Sequence, residues 1–147
     1  MKHKIIIVLS LLFTLSSFSQ KIVSWEDLSQ VNFIDKFFQE YDQYFLYPQF
    51  SESVKALDGE KITLTGYFLD IDPSGTIFVL SRGPMASCYF CGSGGPETTV
   101  ELQFDVKPLF KTDDMITVTG RLRLNADDVN HFNYILEDCE AELADKE

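Results

Sequence analysis

Lys61 to Phe68, "KITLTGYF", is the stretch on which the fold turns. Ile62, Leu64 and Phe68 fall on one face with Gly66, and Thr63, Thr65 and Tyr67 fall on the other. A period of two, rich in threonine and aromatic residues, is the pattern of a half-buried strand. A glycine inside such a strand marks a bulge or a sharp bend. The alternation returns downstream. Ile116, Val118, Leu122 and Leu124 alternate with Thr117, Thr119, Arg121 and Arg123, around a second interior glycine, Gly120. Val100, Leu102, Phe104 and Val106 alternate with Glu101, Gln103 and Asp105, which predicts a half-exposed strand with the acids in water. Ile77-Phe78-Val79-Leu80 is apolar on both faces, as a central strand is. A last strand is expected from Phe132 to Leu143.

Upstream, Ser24-Trp25-Glu26-Asp27 has the form of a helix start, with a serine cap and an acid three residues on. Phe33, Ile34, Phe37, Phe38, Tyr41, Tyr44 and Phe45 then recur at steps of three and four, the spacing of one helix face, and Pro48 stops the helix. Core packing against a sheet is the weightier reading of that stripe; an exposed platform for a ligand or partner is the other. Together these signals predict a mainly β fold, a small five-stranded antiparallel barrel of the oligonucleotide-binding type with an N-terminal helical segment.

The ends bound the compartment. Met1-Lys2-His3-Lys4 is a basic start, and Ile5 to Leu15 is an apolar run of signal-peptide length, too short to span a bilayer. Ser17 and Ser19 put small residues at the −3 and −1 positions, so cleavage is expected before Gln20. Residues 1–19 are therefore read as a signal peptide and residues 20–147 as a single β-barrel domain, periplasmic or secreted, without stable membrane insertion after cleavage. A short N-terminal anchor is the competing reading. The chain carries 12 Lys and Arg against 23 Asp and Glu; without Lys2 and Lys4 the balance is 10 against 23, a formal −13. That field repels phosphate backbones and excludes nucleic acid. It favours neutral or cationic partners, such as an envelope protein or a metal ion.

The chemistry concentrates in Cys88-Tyr-Phe-Cys91, followed by Gly92-Ser93-Gly94-Gly95-Pro96-Glu97. Three readings compete. A soft ion, zinc or copper, would need further ligands beside the pair, and Cys139, His131, Glu97 and Met85 are the candidates. A thiol-disulfide redox site needs its first thiolate at a helix N-terminus, and here a glycine-rich turn and a strand follow instead. A structural Cys88–Cys91 disulfide is permitted outside the cytoplasm, although so small a loop gains little entropy. Cys139, in phase with Ile135, Ala141 and Leu143, reads as a buried free thiol. No enzyme is expected: no G-x-S-x-G and no phosphate-binding loop occur, and His131 is alone once His3 is removed. Asp70-Ile-Asp-Pro-Ser-Gly75 imitates the opening of a calcium loop, but Ser81 stands where the bidentate glutamate belongs, so a hairpin turn is the better reading.

Trp25 and Leu28 form a Trp-x-x-Leu, and Leu57, Gly59, Ile62, Leu64, Gly66 and Tyr67 form a Leu-x-Gly-x-x-Ile-x-Leu-x-Gly-Tyr strand, ahead of an apolar strand and a cysteine-containing loop. In these features the chain resembles a family of secreted bacterial proteins with a domain of unknown function. Many members carry Cys-x-His and a proline run in the loop where this chain has Cys88-Tyr-Phe-Cys91. The resemblance implies a small extracytoplasmic β-rich domain and carries over no catalytic residue. The expectation is a non-enzymatic binding module, with a soft metal ion at the Cys88–Cys91 loop, a redox pair, or an interaction domain stapled by a disulfide as the alternatives.

Overall fold

Gly66 and Gly120 sit where the sheet closes on itself. In the computed structural model, residues 20–72 and 74–144 are described; the expected signal peptide, residues 1–19, lies outside them, as does Pro73. The strands are β1 (Lys21–Ile22), β2 (Val31–Phe38), β3 (Gln43–Phe50), β4 (Lys61–Asp70), β5 (Phe78–Ser81), β6 (Thr99–Leu102), β7 (Met115–Leu124) and β8 (Tyr134–Leu143). The helices are two single turns, α1 (Trp25–Leu28) and α2 (Glu52–Lys55). β4, β5, β6, β8 and β7 neighbour one another in that order, and β7 pairs back onto β4, closing a five-stranded barrel. β1 adds to the outside of β4 in parallel. Among the described residues no helix is long and apolar enough to cross a membrane.

The barrel is mixed rather than all antiparallel. Four of its pairings are antiparallel, but β6 and β8 run parallel, with Glu101 opposite Ile135. Alternation along a strand reports which face is buried and carries no information on a neighbour's direction. Because the chain passes through β7 on its way from β6, β8 returns in the sense of β6.

The two glycines do different work. Gly66 pairs regularly with Ile116 and is no bulge. A Cβ there would stand 2.7 Å from the Ser81 carbonyl oxygen and 2.9 Å from the Trp25 ring, so backbone and indole close over a position only glycine can hold. Gly120 lies opposite the bulge: Thr119 pairs Glu140 and Arg121 pairs Glu137, leaving Asp138 and Cys139 against one residue. Asp138 takes the left-handed conformation that such a bulge requires (φ 53°). The barrel is filled by Leu64, Phe68, Leu80, Leu102, Ile116 and Leu122, each nearly or wholly buried.

The aromatic stripe is not a helix. Ser24 does cap α1, with Asp27 completing a capping box, but the helix ends at Leu28. Residues 31–50 form a β2–β3 hairpin outside the barrel, with Phe33 opposite Pro48 and Phe37 opposite Tyr44. Valine, isoleucine, phenylalanine and tyrosine favour extended backbone, and here that preference prevails over the helical spacing. Pro48 does not stop a helix; it lies buried in a strand whose other edge has no strand partner among the described residues, the place a strand tolerates proline. The hairpin is pinned to the barrel at its base, where Phe50 packs edge-on against Tyr134 (5.5 Å). The Tyr134 hydroxyl donates to the Leu28 carbonyl at 2.6 Å, and Trp25 Nε1 donates to the Thr65 carbonyl at 2.9 Å, so α1 covers the barrel's end.

Candidate functional site

The loop between β5 and β6 holds the two spaced cysteines. Three 3₁₀ turns, Met85–Ser87, Tyr89–Cys91 and Pro96–Thr98, fold it back on itself. Gly92 and Gly94 both take φ of 83°, a conformation side chains rarely adopt, and so let the loop reverse. Cys88 is buried against Leu69 and Val79 on the outside of β4 and β5, with Met85 and Phe132 beside it. Cys91 is exposed and donates its thiol to the Met85 carbonyl at 3.0 Å. The two Sγ atoms are 4.0 Å apart and unbonded. The neighbouring Cys88 thiol, together with a smaller contribution from desolvation, pushes the Cys91 thiol up, the direction opposite to that of an activated thiolate.

Of the other residues named for a metal shell, Met85 lies beside Cys88, and Cys139, Glu97 and His131 have other partners. Cys139 lies on β8 against the barrel core, its thiol donating to the Leu136 carbonyl at 3.1 Å, and burial pushes it up to about 12. Glu97 turns back on its own loop, accepting from the Gly95 amide at 3.2 Å. His131 faces Glu101. Among the described residues no three of His, Cys, Asp and Glu converge as a metal cage. In the calcium-like loop, Asp72 accepts from the Ser74 and Thr76 amides (3.0 and 3.2 Å) and from both hydroxyls, which holds its carboxyl far below the usual range. Its acceptor capacity is met from within the turn.

A second feature comes from segments far apart in sequence. The loop Asn125–Asn133 between β7 and β8 is built around Asn125, which is nearly buried. Its amide group donates to the carbonyls of Asp128 (2.7 Å), His131 (3.2 Å) and Phe132 (3.1 Å), and its oxygen accepts from the Asp128 amide (3.0 Å). Asn133 closes the ring by donating to the Asn125 carbonyl at 3.0 Å. The β2–β3 hairpin reaches this loop through Lys36, paired with Asp127 at 3.1 Å, and through Tyr41, whose hydroxyl meets Asn130 at 3.4 Å.

Between them lies a groove of about 340 Å³. Phe38, Tyr44 and Phe45 of the hairpin form one wall, His131 and Phe132 another, and Tyr89 enters from the cysteine loop. His131 is set by Glu101, whose carboxylate oxygens stand 2.9 and 3.0 Å from Nδ1. A carboxylate only accepts, so Nδ1 carries the proton and Nε2 is left over. Among the hydrogen bonds of the described residues, the imidazole is held through Nδ1 alone. Glu101 also accepts from the Phe132 amide (3.2 Å) and from Gln103 (3.0 Å), which fixes the loop as well as the ring.

Glu101 and Asn125 were not legible as site residues. Alternation predicted Glu101 in water; it does point out of the barrel, but the Asn125–Asn133 loop covers it and leaves it 8 % exposed. The available signal was the run Asn125-Ala-Asp-Asp-Val-Asn-His-Phe-Asn133, dense in residues that hydrogen-bond their own backbone. No protein-family model and no curated protein matches the chain.

Proposed function

We propose that this chain is a non-enzymatic binding module of the periplasm or cell exterior, and that its ligand sits in the groove between the aromatic hairpin and the Asn125–Asn133 loop. The observation that carries the reading is the groove itself: a concave space of about 340 Å³, walled by aromatic rings, with a single oriented imidazole on it. That is the usual make-up of a small-ligand site, apolar walls with few fixed polar groups. The barrel supports it. Three strands joined in succession, a fifth beside the third and a fourth closing onto the first, is the arrangement of the oligonucleotide-binding fold, and the loop between its fourth and fifth strands is one of that fold's binding loops. The acidic charge removes nucleic acid from the ligands such a barrel takes. The expected signal peptide and the resemblance to secreted proteins supply the compartment.

The test is a fragment screen on mature protein followed by amide chemical shifts. Ligands that perturb Tyr89 and His131, and that are lost in Phe45→Ala, support the groove. Hits that cluster elsewhere, or no hits at all, sink it.

A soft metal ion at the cysteine loop is the second reading. Two thiolates on one tetrahedral zinc stand ~3.8 Å apart, given Zn–S bonds of about 2.3 Å. The observed 4.0 Å between Cys88 and Cys91 is close to that. The rest of the shell would have to come from the Met85 thioether, water or a partner protein. Native and denaturing intact mass on the same sample decides it. One ion per chain, lost on denaturation and absent from Cys91→Ser, establishes the site; a mass with free thiols and no ion after incubation with zinc removes it.

A further inference from the structure

Taking the groove as the ligand site, we propose that its occupant is a small organic cation, an ammonium or quaternary ammonium group on a compact apolar body. The walls are rings: Phe38, Tyr44 and Phe45 on the hairpin, Tyr89 and Phe132 opposite. An aromatic face is electronegative and attracts a cation, most strongly one that is weakly hydrated. Asp128 brings a carboxylate to the groove, and no lysine or arginine lines it. The Asp128 carboxylate is already oriented by the amide and side chain of Asn130 (3.0 and 3.1 Å), and those hydrogen bonds hold it below the usual carboxylate range. Of the other polar residues lining it, Thr99, Asn133 and His131, the imidazole is backed by the carboxylate of Glu101.

The molecule displays the same recognition next door. The Lys36 ammonium stands 3.7 Å from the centre of the Tyr47 ring and 5.2 Å from that of Phe38, and it pairs with Asp127 at 3.1 Å. One hairpin supplies the rings and one loop supplies the carboxylate. The groove offers a free ligand the same combination, with Tyr44 and Phe45 for the rings and Asp128, the next residue of that loop, for the carboxylate. Because Lys36 is neutralised by Asp127, it does not oppose a second cation. An anion would meet the Asp128 carboxylate, and a purely apolar ligand would leave that carboxylate with only its Asn130 hydrogen bonds and no opposite charge. The formal charge, −13 without Lys2 and Lys4, draws cations to the whole surface and repels anions.

The test titrates mature protein with choline and, separately, with 3,3-dimethylbutan-1-ol, its uncharged isostere, following amide shifts and heats of binding. The expected result is saturable choline binding that shifts Tyr89 and His131, with the alcohol roughly tenfold weaker or more. Asp128→Asn should lower choline affinity about fivefold and leave the alcohol unchanged. Since Asp128 also orders its loop, Tyr44→Ala serves as the second variant: Tyr44 is largely exposed, its loss does not threaten folding, and choline affinity should fall several-fold. Equal binding of choline and alcohol in the groove overturns the cation and leaves the groove standing. Binding of neither overturns both.

Discussion

Glu101→Ala tests whether the barrel and the groove are one construction. Glu101 is 8 % exposed and its carboxylate serves three partners: the Phe132 amide at 3.2 Å, Gln103 at 3.0 Å and His131 Nδ1 at 2.9 Å. Truncation strands the Phe132 amide under the loop, at a cost of about 1–3 kcal/mol. The His131 and Gln103 bonds add less, because the imidazole side chain is 40 % exposed and water replaces its partner. The total is about 2–3 kcal/mol, which for a domain of this size is a fall in Tm of roughly 6–15 °C. Glu101→Gln keeps an acceptor for the Phe132 amide and should cost only about 1 kcal/mol. Urea and thermal unfolding followed by circular dichroism give both numbers, and the nitrogen shifts of His131 report whether its ring keeps one tautomer. If Glu101→Ala unfolds within about 0.5 kcal/mol of the parent, the carboxylate is not holding the loop that carries His131 and Phe132.

Three more outcomes follow from the structure. Gly66→Ala should destabilise by about 1–3 kcal/mol, since its Cβ would lie 2.7 Å from a backbone oxygen that the β4–β5 pairing keeps in place; an unchanged urea midpoint would show that the two strands can part there. Alkaline conditions should weaken the fold. Cys139 is raised from 9.0 to about 12, so the folded chain keeps a proton that the unfolded chain releases, and stability present below pH 9 declines toward pH 12 by up to about 1.4 kcal/mol per pH unit. Tyr134, also raised by burial, adds in the same direction above its ordinary value of 10.0. Cys139→Ala should flatten the part of the slope between pH 9 and 10, and an identical slope in the variant would exclude the thiol as its source. Under native conditions a neutral alkylating reagent should modify exposed Cys91, slowly, with Cys88 reacting only on unfolding; mass spectrometry showing Cys88 labelled as fast as Cys91 would contradict the buried position of Cys88.

What was legible in the sequence depended on how many faces of each strand are covered. β4 and β7 have one face in the barrel and threonines on the other, so a period of two survives in their residues and the barrel could be expected from them. The hairpin has no such contrast. Phe38, Tyr44 and Phe45 line the groove although Tyr44 and Phe45 are neighbours in β3, Phe37 packs on Tyr44, and Phe50 meets the core, so aromatic residues fall on both faces and the spacing of three and four arises without a helix. Its turn gave no warning either, because Asp42 rather than glycine takes the left-handed position (φ 49°). Glu101 fails in the opposite way. Its outward direction is what alternation implies, but whether outward means solvent depends on a loop that begins more than twenty residues later. Periodicity names the face of a strand and is silent on what lies over it. The groove is made entirely of such coverings: a hairpin laid over a loop, a loop laid over β6, and Tyr89 reaching in from between two cysteines. That last contact links the two candidate sites. Tyr89 sits between Cys88 and Cys91 and lines the groove, while Phe132 lines the groove and packs against the cluster of Leu69, Val79 and Cys88. Any ion or bond that draws the two sulfurs together therefore acts on a wall of the groove, and a ligand that moves Tyr89 acts on the sulfurs. Choline affinity measured with and without zinc reads that coupling directly: a change in one demands an equal change in the other, and no change in either means that the loop and the groove work apart.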